Sequence, residues 1–175
     1  SAAPFLFDRI DKAAGKTALE FYNGGIRDDP SQKEAVLTAL HINGQNYSLS
    51  LKGKRVLIVS QSNAGVNNVG ERFMKEGVDF ARIGNRKEKV SESLISNWEA
   101  RGQKLQEFKE NYRKQRKGFI VIATNNGLLN DPYIRQNPFF QEYDVVIEDE
   151  AARSNWPETL LMASLAGEKF IQVGD

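Results

Sequence analysis

A chain of 175 residues, 40% hydrophobic and 27% charged, is one domain with enough apolar surface to bury a core, which excludes a disordered polymer. Its 24 Lys and Arg nearly balance 23 Asp and Glu, so the net charge of +1 excludes a protein-wide basic footprint for nucleic acid and leaves only a local one. The absence of cysteine rules out disulfides, thiolate metal sites and a cysteine nucleophile, and a single histidine, His41, rules out a histidine-rich metal centre. No apolar run approaches the ~20 residues that span a bilayer. No signal peptide opens the chain, so the expected compartment is the cytoplasm, or the nucleus in a eukaryote, with no membrane partner. The start at Ser1 without methionine and the stop inside "FIQVGD" read as a piece of a larger protein.

In chain order, the first forty residues read as helices with a turn at "NGGIRDDPS". "RVLIVS" (55–60) is a continuous apolar run, the mark of a strand covered on both faces. "SNAGVNNVGERFMKEG" follows with Ser and Asn at its start, Val66, Val69 and Phe73 at helical spacing, and Gly77 as a stop, which predicts a helix. "DFARIG" (79–84) is a weaker strand. Residues 91–117 predict one long amphipathic helix, or a pair broken near Gly102, with Leu94, Trp98, Leu105, Phe108 and Tyr112 as the apolar stripe. Residues 101–117 carry seven Lys and Arg against two Glu, a solvated basic face rather than a nucleic-acid contact. "FIVIAT" (119–124), "DVVIED" (144–149) and "KFIQVGD" (169–175) are further buried strands, and "PETLLMASLAG" is a helix from Pro157 that closes on Gly167. Alternation of strands and helices predicts an α/β domain with a mainly parallel sheet and a helical insertion.

The chemistry gathers where the "DVVIED" strand runs into Glu148, Asp149 and Glu150. Acids at the end of a parallel strand emerge at the carboxyl edge of the sheet, where open sheets bind ligands. Asp149 there suits a magnesium ion, since hard cations take oxygen ligands, and Glu150 suits a group that orients and deprotonates water. Glu148 and Glu150 would share one face of an extended strand and repel unless a cation lies between them.

Five motifs occur in one order. "DDPSQKEAV" resembles the glutamine motif of superfamily 1 helicases, "VLIVSQSNAGVNNV" motif Ia, "VIATNNGLL" the strand-end threonine motif, "DVVIEDEAA" motif II and "FIQVGD" the opening of motif III. In this order, from Asp28 to Asp175, the sequence resembles the Upf1-like group of those helicases, specifically part of the first RecA-like, P-loop NTPase motor domain. The resemblance implies ATP and Mg2+ as cofactors, with Gln32 reading the adenine edge, Asp149 at the metal, Glu150 as the catalytic base and Asp175 at the nucleotide in motif III. It implies that Ser62, Asn63 and Thr124 grip the backbone of a single strand of DNA or RNA, and that a second RecA-like domain lies outside the chain. The sequence departs from the pattern at Asn67, where Asp is more usual, and at Gly65, where Ala is more usual.

The phosphate loop is missing from its expected place. A Gly-x-x-x-x-Gly-Lys-Thr/Ser loop, with its strand and helix, needs about 25 residues, and the interval "HINGQNYSLSLKGKR" (His41 to Arg55) has fifteen. "AAGKT" at 13–17 precedes the glutamine motif and lacks the first glycine, so it reads as a helix surface. Either the sequence joins residues that are not neighbours in the parent, with a chain break between Leu40 and Arg55, or the loop is lost. Losing an internal strand would expose a neighbouring edge, which favours the break. The expected function is therefore part of an ATP-dependent helicase or translocase, with no hydrolysis by this fragment alone; the alternative is a non-hydrolysing nucleic-acid-binding or scaffolding module descended from one.

Overall fold

A strand without polar alternation needs cover on both faces, and four such runs require a sheet between layers of helices. The structure, a computed structural model, describes residues 53–150 and 155–172. Its strands β1 (Arg55–Ser60), β2 (Ala81–Arg82), β3 (Phe119–Thr124), β4 (Tyr143–Asp149) and β5 (Ala166–Gln172) form one sheet in the order β2-β3-β1-β4-β5. Every pairing is parallel. With helices packed against it this is the α/β architecture expected, consistent with a RecA-like fold. Among the described residues no helix is long and apolar enough to cross a membrane.

Helix α1 (Asn63–Glu76) has the boundaries its caps dictate. Ser62 is extended and its hydroxyl accepts from the Gly65 amide at 3.0 Å, while Gly77 closes the helix in the left-handed region at φ 72°. Val66, Val69 and Phe73 are buried where α1 packs on β1 and β3, each contributing about 1.5–3 kcal/mol of burial. The 91–117 segment is a helical pair. A 3-10 turn at Glu92–Leu94 leads into α2 (Ile95–Glu99), and the break before α3 (Arg101–Gln115) falls at Ala100, two residues ahead of Gly102. Leu94, Leu105 and Phe108 are buried as the stripe requires, and Trp98 and Tyr112 are half-buried. Short helices α4 (Asn125–Asn130) and α5 (Pro132–Arg135) follow β3, and α6 (Trp156–Ser164) packs on β4 and β5. An Asn155–Glu158 capping box starts α6.

Several boundaries differ from expectation. The weak strand at 79–84 is reduced to the two residues of β2 at the sheet's edge. β5 begins at Ala166, so Gly167 lies within a strand instead of capping α6. Trp156, which the sequence suggests as a packing residue beside the motif II helix, is 51% exposed. The N-terminal helices, the glutamine motif, the proposed break and residues 173–175 lie outside the described residues.

Candidate functional site

The parallel register brings the predicted residues to one edge. Ser60 ends β1 level with Thr124 on β3 and Asp149 on β4. Gln32, Gly174 and Asp175 lie outside the described residues. The edge divides into an acidic half and a basic half, with the first turn of α1 between them.

On the acidic side, Glu148 and Asp149 are fully buried. Glu148 Oε1 accepts from Gln172 Nε2 at 3.2 Å, a bond across to β5. Asp149 Oδ1 accepts from the Glu150 amide at 2.9 Å. Glu150 is left-handed, with φ 57°, a conformation costing a non-glycine residue roughly 1 kcal/mol or more. Strand alternation therefore ends at Asp149. Glu150 does not continue on the face of Glu148, and the two carboxylates bond different neighbours, Gln172 and Ser62. The left-handed turn carries the Glu150 carboxylate to Ser62, whose hydroxyl donates to Oε1 at 2.9 Å. A Cβ built on Gly65 would lie 2.2 Å from the same Oε1, so glycine is required for the carboxylate to sit there. Among the described residues no group of three or more His, Asp or Glu could cage a metal. The carboxylate oxygens of Asp149 and Glu150 are of the kind that Mg2+ takes, an ion that keeps water and phosphate oxygens and needs only one or two carboxylates.

On the basic side, a cavity of about 150 Å³ is lined by Asn63, Arg82, Gly84, Asn85, Arg86, Lys89, Thr124, Asn126, Gly127 and Asn130. Arg82 is 1% exposed. Its guanidinium donates to Asn67 Oδ1 and Asn63 Oδ1, each at 3.2 Å, and to the Ile83 carbonyl. All three acceptors are neutral, and no carboxylate pairs with it among the described residues. Burial lowers its pKa to about 10, so it stays charged at neutral pH. The shift corresponds to a desolvation cost on the order of 3 kcal/mol. The departure at Asn67 matters here: an aspartate would put a carboxylate at Arg82 Nε, whereas the amide accepts one bond and donates its own N–H to the Lys89 carbonyl at 3.0 Å.

The loop walling the cavity is pinned from behind. Asp131, fully buried, accepts from the Gly84 amide at 2.9 Å and from Arg101 Nε at 2.7 Å through Oδ2. The Trp98 indole donates to the Gly84 carbonyl at 2.6 Å. The Arg101 guanidinium lies 4.2 Å from the Trp98 ring centroid and 4.9 Å from that of Tyr133. Thr124 caps α4 by accepting from the Gly127 amide at 2.8 Å.

Of the residues expected to grip nucleic acid, Asn63 and Thr124 line the basic cavity. Ser62 instead turns to the acidic half, engaged with Glu150. Sequence reasoning missed Arg82, Arg101 and Asp131. Its only signal for Arg82 was a cation set between the apolar Ala81 and Ile83 of a weak strand. It also missed Asn125, 5% exposed and flanked by cavity residues, whose side-chain amide has no hydrogen-bond partner among the described residues. The basic end of α3 stands apart, near the amino ends of β1 and β3, where the Arg116 carbonyl approaches Gly53. Its Lys109 and Arg113 lie over Phe139 and its Arg116 over Tyr112, as a solvated face on an aromatic cluster would. Compared with known proteins, the sequence matches no family model and no curated protein.

Proposed function

We propose that the chain is part of the first motor domain of an ATP-dependent nucleic-acid helicase or translocase, whose sheet edge joins a metal-and-water half to a backbone-binding half. The observation that carries the reading is Arg82: a buried guanidinium that pairs with no carboxylate among the described residues, at the wall of a polar cavity, flanked by Arg86 and Lys89. A phosphodiester supplies the missing negative charge and accepts from the N–H groups that Asn63, Asn67 and Ile83 leave unused. On the other side, Mg2+ held through Asp149 would neutralise the charge of a nucleotide's phosphates. Glu150, once turned from Ser62, would orient a water and take its proton.

The test is binding of fluorescein-labelled single strands of thymidine or uridine to Arg82→Met over a range of salt. Loss of one phosphate contact weakens affinity about tenfold for both strands and lowers the salt slope by about one. Binding equal to that of the natural protein at every salt concentration refutes the reading. A second reading, a non-hydrolysing nucleic-acid-binding module, is favoured by one observation: the interval from His41 to Arg55 has no room for a phosphate loop. In the full-length protein, nucleotide hydrolysis that is lost in Glu150→Gln with nucleotide binding kept belongs to the first reading. Strand binding without any hydrolysis belongs to the second.

A further inference from the structure

Glu150 already fills the end of α1 that a phosphate would take. Three features seat it there: the left-handed turn after Asp149, the hydrogen bond that Ser62 Oγ donates to Oε1 at 2.9 Å, and the lack of a side chain at Gly65. Ser62 has one hydroxyl proton, and its oxygen already accepts from the Gly65 amide. It cannot donate to Glu150 and to a phosphate together. Both anions would also seek the positive end of the same 14-residue helix. The neighbouring residue, Asn63, belongs to the other half of the edge, accepting from the buried Arg82, which pairs with no carboxylate among the described residues.

The geometry points to an internal latch: Glu150 is an intramolecular anion held on α1 by Ser62 and the space at Gly65, and a nucleic-acid backbone phosphate arriving beside Arg82 displaces it. Ser62 is then a positioning residue that keeps the base out of service until a strand is bound. Displacement frees the carboxylate for water on the acidic half. The latch rests on the motor reading above, but its structural basis is particular to this chain. At position 65 the resemblance has Ala more usually, and a methyl there collides with Glu150 Oε1.

Because the two anions exclude one another, breaking the latch must tighten strand binding; coupling of this kind is reciprocal. The test measures anisotropy of fluorescein-labelled ten-thymidine and ten-uridine strands with the natural chain, Gly65→Ala, Glu150→Ala, Ser62→Ala and the Ser62→Ala/Glu150→Ala pair. Glu150→Ala and Gly65→Ala each tighten binding about tenfold, the scale of a lost charge-assisted hydrogen bond. With Ser62 already alanine, removing Glu150 tightens binding several-fold less than in the serine background, since the shared proton is gone and only the competition of charge at the helix end remains. Equal tightening in both serine and alanine backgrounds is plain charge removal and overturns the latch. So does equal affinity of the natural chain, Gly65→Ala and Glu150→Ala, which leaves the nucleic-acid reading standing. Absence of strand binding in all five proteins overturns that reading and the latch with it. The Gly65→Ala methyl also meets Ser60 Oγ at 2.6 Å and Ser62 Oγ at 3.1 Å, but these hydroxyls can rotate and alanine is the better helix former, so this variant keeps the test open should Glu150→Ala fail to fold.

Discussion

Replacing Asp131 with alanine removes three hydrogen bonds at once from a carboxylate with no solvent exposure. Oδ2 loses the Gly84 amide at 2.9 Å and Arg101 Nε at 2.7 Å, and Oδ1 loses the Tyr133 amide at 3.0 Å that starts α5. The cap and the Gly84 bond are worth about 1 kcal/mol each. Leaving Arg101 without its carboxylate is the larger effect, because its side chain is only 10% exposed and a stranded buried charge costs about 3–5 kcal/mol. The Trp98 and Tyr133 faces and the Trp98 carbonyl remain to solvate the guanidinium and offset about 1–2 kcal/mol. The net loss is about 4 kcal/mol, which lowers Tm by about 15 °C for a cooperative unit of this size. Urea unfolding followed by tryptophan fluorescence reads it, since Trp98 is bonded to the same loop. Arg101→Met alone is milder, because Asp131 keeps two amide donors. The double variant costs about 2 kcal/mol less than the sum of the singles. A loss below about 1 kcal/mol for Asp131→Ala, or strict additivity with Arg101→Met, refutes the view that this pair pins the cavity wall.

Two further outcomes follow from buried polar groups at the opposite edge of the sheet. Tyr143 is fully buried, its hydroxyl has no partner among the described residues, and burial pushes its pKa far up, so the phenol stays neutral. Tyr143→Phe removes an unsatisfied group at almost no volume change and raises stability by about 1 kcal/mol in urea; a loss of stability sinks this account. Burial pushes the Asp144 carboxyl up, but the fork and amide of Arg55, at 2.8, 3.2 and 2.8 Å, outweigh it and hold the pKa below the ordinary value. Its stabilisation is complete above about pH 4 and is lost as pH falls through the lower folded value. Asp144→Asn therefore flattens the acid limb of the pH–stability curve, and a limb as steep as in the natural protein rules the pair out as its cause.

What the sequence determined by itself is whatever rests on neighbours in the chain. The unbroken runs "RVLIVS" and "FIVIAT" match β1 and β3 residue for residue, and Ser62 and Gly77 bracket α1, because solvation and capping act over a few residues. The alignment of Ser60, Thr124 and Asp149 was legible too, since parallel strands ending in small or acidic residues level their carboxyl ends. Only the tertiary structure decided which partners those ends meet. Ser62 reads as a helix cap and phosphate contact until a residue 88 positions away turns left-handed and accepts its one hydroxyl hydrogen bond. Gly65 reads as an indifferent substitution until the same carboxylate occupies its missing Cβ. Arg82 is only one letter of a weak strand in the sequence, yet the structure buries it, and among the described residues its guanidinium finds only the neutral oxygens of Asn63, Asn67 and Ile83. Charge burial and the competition for a single proton are set by atoms brought together across the chain, and no local pattern carries them.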